Sequence, residues 1–239
     1  MWNCCNFYTH LIQYGHMKEY EEHREKLENK IQIANLEENP SFRSRIQVLK
    51  EMNYIDKNSV LLLKGQVARE LASADIILLT EILFEGIWSN LKVEEFVALI
   101  SLVVVQEKKK EKEEFPNLSP EFNEAYEKLE NINNNFWKLE KNFEIESVEE
   151  YPEEKLNTAI LKEIYFWAKG STFAEICNIS KAFLGSLVRG ILRIDYALRE
   201  MKSAAKIMGD QALKTYIDKA TEAIHRGIIF TPSLYLDDK

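Results

Sequence analysis

The apolar pattern between Leu184 and Ala205 constrains the fold of this chain most strongly. At 100° per residue, one side of a helix over this stretch is apolar; its members are Leu184, Leu187, Ile191, Ile194, Leu198, Met201 and Ala205. The opposite side, within a sector of roughly 60°, carries a polar row; its members are Arg189, Arg193, Tyr196 and Glu200. A helix with one apolar side needs neighbouring helices to bury it. The pattern therefore predicts a helical bundle, with the polar row either simply solvated or offering charge and a stacking ring to a ligand.

Composition agrees with a mainly α fold. The chain has 239 residues, 46% hydrophobic and 29% charged, with only eight glycines and five prolines, which is typical of a globular protein built from long helices. Its net charge of −8 argues against a generally basic surface for nucleic acid, so any such contact must come from a local stripe.

The cysteines and the hydropathy pattern limit the location of the chain. Three cysteines, two of them adjacent at Cys4 and Cys5, form no disulfide framework and lack the spacing of zinc ligands. We therefore expect an intracellular protein without a metal of its own. No apolar run reaches the length of a membrane span, and we expect no membrane partner.

The first 72 residues divide into two segments. Residues 1–38 contain a strongly charged helix, Met17–Asn35, whose thin apolar seam suits one arm of an antiparallel helical stalk. Residues 39–72 contain a helix, a turn, a β-rich run Val60–Leu63 and a second helix, which is the order of a partial winged-helix unit. Such a unit either binds nucleic acid or braces its neighbours, and without a basic recognition helix we favour bracing. Lys64 and Arg69 are the candidates for phosphate contact in this segment.

Residues 73–239 are predicted to form the helical bundle. Asp75 has the chemistry of an N-cap, Pro120 fits the first turn of a long helix, and Gly209 fits a C-cap. Thr172 and Glu175 have the spacing of a capping box. The long helix after Pro120 has aromatic residues that we expect in the core; these are Phe122, Tyr126, Phe136, Trp137 and Phe143.

Catalytic signatures are missing from the sequence. It contains no G-x-x-x-x-G-K-[ST] loop, no G-x-S-x-G motif and no cluster of histidines, so we do not expect the chain alone to be an enzyme. One carboxylate is unusual, because Glu107 ends the apolar run that precedes it. Glu107 either emerges into solvent there or accepts hydrogen bonds from a ligand such as the amino group of a base.

Beyond these patterns, residues 40 to 236 resemble a known domain in several ordered blocks. The blocks are RIQVLKEMNYID, LLKGQVARELASADIILLTEILFEGIW, KVEEFVALISLVVVQEK, EIYFWAKGSTFAEICNIS, GSLVRGILRID and AIHRGIIFTPSLYL. They resemble the DSHCT region that ends DExH-box RNA helicases of the superkiller and nuclear exosome (TRAMP) type. The helix at Met17–Asn35 looks like the returning arm of the arch stalk of that family.

The resemblance implies an RNA-handling role. In such helicases the region packs beneath two RecA-like ATPase domains, and one long "ratchet" helix touches the single strand; the helix from Leu184 looks like that ratchet. The RNA-contacting arginine of the family falls on Arg193, and a glutamate placed near a base falls on Glu107. Tyr196 stands where the family usually has an acidic residue, so its ring could stack on a base. Arg189 fits a GSLIR-type block of the family but could form a salt bridge instead.

The resemblance also implies a larger parent protein. ATP and Mg²⁺ would bind in RecA domains whose motifs are not in these 239 residues, so we expect a piece of a longer protein or a shortened gene product, with no cofactor of its own. The predicted function is RNA guiding for an ATP-dependent 3′–5′ helicase that works with the exosome or its adaptors. The alternative is a structural helical module that braces an ATPase core or docks proteins. The sequence leaves nucleus and cytoplasm equally open.

Overall fold

The computed structural model describes residues 6–105, 118–145, 156–180 and 183–231, without the side chains of residues 29–38 and of Ile228. These residues confirm the mainly α fold. They form ten α-helices, which are α1 (Phe7–Glu38), α2 (Pro40–Glu51), α3 (Leu63–Ala68), α4 (Ile76–Phe84), α5 (Val93–Val104), α6 (Pro120–Asn142), α7 (Leu161–Lys169), α8 (Phe173–Ile179), α9 (Leu184–Met208) and α10 (Gln211–Ile224). A short 3-10 helix, Ile228–Phe230, follows α10.

Helix α5 lies at the centre of the bundle. It is buried from Glu95 to its end, and it packs against α7, α9 and α10. The predicted apolar side of α9 is confirmed from Leu187 to Ala205, where its members have no exposed surface. Leu184 is the exception at 48% exposure, because it is the first residue of α9 and precedes the turn that enters the core.

The predicted strand Val60–Leu63 is wrong. The described residues contain no strand, only an isolated antiparallel bridge between Ile55 and Leu61. The side chain of Asp56 closes a tight turn before it, accepting hydrogen bonds from the N–H groups of Asn58 at 2.8 Å and Val60 at 2.7 Å. Because α3 already begins at Leu63, no length remains for a ladder. The winged-helix assignment therefore stays a prediction.

Helix α1 has apolar side chains exposed along its first five turns. Tyr8 and Tyr20 are 79% and 76% exposed, and the helix contacts α2, which starts at Pro40 after the Asn39 cap. The helix predicted at Met17–Asn35 is thus present within a longer one. Its role as a stalk arm stays a prediction.

The predicted helix ends are confirmed. Asp75 accepts from the N–H of Leu78, and Ser119 caps the helix that opens with Pro120. Thr172 and Glu175 form the capping box reciprocally, and Gly209 ends α9 with a positive φ of 71°. This conformation favours glycine because it has no Cβ.

Two of the five aromatic residues predicted in the core contact it, Phe122 within the core and Tyr126 packed against it. Phe122 is fully buried, whereas Tyr126, Phe136, Trp137 and Phe143 are half-buried. Helix α6 packs on the bundle through α4 and α5 and touches α2. Its first turns enter the core down to Leu129, whereas Phe136, Trp137 and Phe143 lie outside the core cluster.

The end of α10 is held by stacking and hydrogen bonds. The Arg226 guanidinium lies 4.0 Å above the Trp167 ring and donates to the carbonyl of Ser171 at 2.8 Å. Trp167 Nε1 donates to the carbonyl of Ile224 at 2.9 Å. Burial lowers the pKa of Arg226. The segment after α10 docks through Phe230, which packs on the core; residues 232–239 lie outside the described residues. No helix in the described ranges is long and apolar enough to cross a membrane.

Candidate functional site

The outer side of α9 presents the predicted polar row to solvent over its first half. Arg189 and Tyr196 are exposed, and Arg193 between them is half-buried. With about 1.5 Å of rise per residue, the three side chains span roughly 10 Å along the helix. The structure therefore brings together the three candidates that the sequence placed on this helix.

Arg193 differs from the neighbouring cations because no described residue serves as its polar partner. Within the described residues its guanidinium makes no hydrogen bond and no ion pair. Arg199, on the same helix, is held by Asp195 at 2.7 Å, and Lys202 forms an ion pair with Asp218. A half-buried guanidinium that lacks a protein partner favours binding of an external anion, because a charge that is partly removed from water is stabilised by an opposite charge.

Arg189 lies one turn before Arg193. Its Nη2 donates to the hydroxyl of Ser186 at 3.2 Å, which holds the guanidinium against its own helix. Both the salt bridge that the sequence left open for Arg189 and its contact with RNA stay predictions.

Tyr196 offers an exposed ring beside a fixed cation. The ring is 59% exposed, and the Arg199 guanidinium lies 5.8 Å from its centroid. Arg199 is held by the buried carboxylate of Asp195, which also contacts His225 Nδ1 at 3.1 Å. Because Asp195 fixes the Arg199 guanidinium, the Tyr196 ring has a defined neighbour on one side and open solvent for a stacking partner.

Glu200, the last member of the polar row, is engaged within the protein. Its Oε2 accepts hydrogen bonds from the backbone N–H groups of Ala72 and Ser73, both at 3.0 Å, and from the Ser73 hydroxyl at 2.7 Å. This carboxylate ties α9 to the turn between α3 and α4. The row available to a ligand therefore ends at Tyr196.

Lys64 and Arg69 have different environments. The Lys64 ammonium pairs with the buried Glu81 carboxylate at 2.6 Å and lies 5.1 Å from the Tyr54 ring. Tyr54 also donates to Glu81 at 3.0 Å, and burial together with this carboxylate raises the pKa of Tyr54. Lys64 thus serves an internal network, whereas Arg69 is exposed, three residues before the turn that Glu200 holds. Phosphate contact stays a prediction for both.

Glu107 lies outside the described residues, so its contact with a base stays a prediction. Val105, the last described residue before it, reaches α9 at Gly190: a Cβ on Gly190 would lie 3.7 Å from Val105 Cγ2. Gly190 is one turn before Arg193. Val105, where this described segment ends, therefore lies next to α9 one turn before Arg193.

The structure adds Phe183, which sequence reasoning did not single out. Its ring is 71% exposed at the N-cap of α9. An apolar residue next to Leu184 fits the buried side of the helical pattern, so periodicity gave no signal. The sequence signal that could have identified Phe183 is its position just before the first turn of α9. No group of described residues has the composition of a metal site.

Comparisons with known proteins identify relatives of this helical domain. A family model described as the DSHCT (NUC185) domain matches residues 58–231. The DExH-box ATP-dependent RNA helicase DExH11 of Arabidopsis thaliana is 35% identical over 234 residues, which cover 98% of this chain and 17% of the relative. Antiviral helicase SKI2 of Saccharomyces cerevisiae is 32% identical over 235 residues, with 98% and 18% covered.

A third relative is Exosome RNA helicase MTR4 of Homo sapiens, which is 32% identical over 194 residues, with 81% of this chain and 18% of the relative covered. The chain thus spans less than a fifth of the length of these three relatives. The family match begins before α3 and extends to Thr231, so it includes α9 and every described residue of the polar row. The chain belongs to the DSHCT domain family of DExH-box RNA helicases.

Proposed function

We propose that this chain is the RNA-guiding helical domain of an ATP-dependent 3′–5′ RNA helicase that acts with the RNA exosome in RNA processing and decay. Its relatives include proteins named as RNA helicases, and one is named an exosome helicase. The partners of the domain would be single-stranded RNA, the RecA-like domains of the same protein, and the exosome or its adaptors. ATP and Mg²⁺ would bind in those RecA-like domains, because this sequence has no glycine-rich phosphate loop to hold a nucleotide.

The guanidinium of Arg193, which has no polar partner among the described residues, carries this proposal. It lies on the exposed side of α9, between the exposed side chains of Arg189 and Tyr196. Arg193 would bind a phosphate of the RNA backbone, for which its planar fork is suited. The Tyr196 ring would stack on a base, and such stacking is possible with any of the bases. The site therefore favours RNA binding without a preference for sequence.

The test is the affinity of the 239-residue chain for a fluorescent single-stranded oligouridine at low salt. We expect Arg193→Gln to weaken binding by about five- to tenfold, since one charge-assisted contact contributes about 1 kcal/mol or more. Lys206→Gln is the matched control, because Lys206 is exposed on the same helix but lies on another side. Ultraviolet crosslinking of the same RNA, compared between the wild type and Glu107→Ala, tests whether Glu107 contributes to RNA contact.

The outcomes separate the proposal from a purely structural role. Weaker binding by Arg193→Gln and unchanged binding by Lys206→Gln supports RNA guiding along α9. Equal binding by wild type, Arg193→Gln and Glu107→Ala contradicts it and favours the alternative, a helical module that braces an ATPase core or docks proteins. Weak overall affinity does not separate them, because an acidic chain without its RecA domains lacks most phosphate contacts.

A further inference from the structure

We infer that Phe183 is a second base-stacking residue, so that RNA passes from Phe183 over Arg189 and Arg193 to Tyr196. This inference rests on the proposed function and extends the contact surface to the start of α9. Among the described residues outside α1, Phe183 and Tyr196 are the exposed phenylalanine and tyrosine side chains, at 71% and 59%. Tyr196 lies on α9, which carries Arg189 and Arg193, and Phe183 is the N-cap residue of the same helix.

Gly185 keeps the Phe183 ring and the Arg189 guanidinium close together. A Cβ at Gly185 would lie 3.0 Å from Phe183 Cε1 and 3.4 Å from Arg189 Nη1. The ring and the guanidinium therefore both lie next to Gly185. A base stacked on Phe183 would have its own phosphate within reach of Arg189, which is the pairing of stacking and charge that single-strand sites use.

The spacing of the two rings suits a single strand. Thirteen residues separate them, or roughly 20 Å along a helix that rises about 1.5 Å per residue. At about 3.4 Å per stacked nucleotide, that distance corresponds to roughly six nucleotides, and fewer where the strand is extended. The arginines lie between the rings, so phosphates between two stacked bases would pass over them.

An apolar contact with another protein domain is the competing explanation, because Ile179 and Leu184 near Phe183 are also 45% and 48% exposed. The two explanations require different properties of the side chain. A nucleobase needs the flat face of an aromatic ring, whereas an apolar protein surface accepts an aliphatic side chain of similar size. The shape of the substituted side chain therefore distinguishes the occupants.

The experiment measures oligouridine affinity for Phe183→Ala, Phe183→Leu and Phe183→Trp in the 239-residue chain. We expect Ala and Leu to weaken binding by about fivefold or more, the effect of one lost base stack, and Trp to keep it. The salt dependence should not change, because the ring is uncharged. Tyr20→Ala is the control for loss of an exposed ring, since Tyr20 lies on α1; urea unfolding verifies that each variant is folded.

Wild-type affinity for Phe183→Leu overturns the inference, because an aliphatic side chain would then suffice. Wild-type affinity for Phe183→Ala also overturns it. If Arg193→Gln weakens binding in the same assay while Phe183→Ala does not, the proposed function stands without this second stacking residue. If neither variant differs from the wild type, both the inference and the proposed function fail.

Discussion

Replacement of Glu200 by alanine should weaken the fold without weakening RNA binding. The carboxylate oxygen Oε2 accepts three hydrogen bonds, two of 3.0 Å and one of 2.7 Å, from Ala72 and Ser73. A hydrogen bond to a charged group stabilises a fold by about 1.5–3 kcal/mol. These three hydrogen bonds share one half-buried acceptor, and water replaces part of them in the variant. We therefore expect Glu200→Ala to lower the free energy of unfolding by about 2 kcal/mol in total.

Urea unfolding of the 239-residue chain measures this loss. With a slope of about 2–3 kcal/mol per molar urea, the midpoint should fall by about 1 M for Glu200→Ala and by less for Glu200→Gln, which keeps a carbonyl acceptor. Glu222→Ala is the matched control, because Glu222 is exposed on α10; its effect should stay within about 0.5 kcal/mol. Oligouridine affinity should be unchanged or higher, since a negative charge is removed from the end of the row.

Two results would contradict a purely structural role for Glu200. An unchanged urea midpoint for Glu200→Ala would mean that the three hydrogen bonds contribute nothing to stability. A loss of RNA affinity as large as that of Arg193→Gln, with stability unchanged, would make Glu200 part of the binding surface. Either result would require another account of how the α3–α4 turn is held against α9.

Two further predictions concern stability. Gly65→Ala should lower the free energy of unfolding by about 2 kcal/mol, since overpacking costs more than the helix propensity gained. The added methyl group would lie 2.3 Å from the Tyr54 carbonyl oxygen. Thermal unfolding tests this against Gly15→Ala, where nothing lies within 4 Å, and equal melting temperatures would contradict it. In the second, hydrogen bonds from Thr172 lower the pKa of Glu175 below its ordinary 4.5. Because the pKa of Glu175 is depressed in the folded state, this stabilisation is present above pH 4.5 and is lost as the pH falls through the folded value. The difference in stability between wild type and Glu175→Gln should therefore shrink on acidification. A constant difference would count against the cap.

Local patterns allowed much of the fold to be predicted. The apolar side of α9 follows from a spacing of three and four residues, and the Thr172 cap and Gly209 C-cap follow from chemistry within a few positions. These features depend on near neighbours in the chain. The predicted strand at Val60–Leu63 failed because the turn at Asp56 and the start of α3 leave no room for a ladder.

Long-range contacts explain what the sequence could not provide about the site. Glu200 has the spacing of a solvent-facing row member, but its partners lie 127 and 128 positions away. Lys64 reads as an exposed cation until the fold brings Glu81 to it, and Phe183 reads as a core residue until the start of α9 is known. Periodicity assigns a side chain to one face of a helix, whereas the fold decides what lies on that face.

The salt dependence of RNA binding shows whether Arg193 contacts a phosphate. For a single strand, the logarithm of the binding constant falls with the logarithm of the salt concentration by about 0.7 per neutralised phosphate. If Arg193 binds a phosphate, Arg193→Gln should lower the magnitude of this slope by about 0.7, while Lys206→Gln leaves it at the wild-type value. Identical slopes and affinities for wild type, Arg193→Gln and Lys206→Gln would contradict RNA guiding by α9.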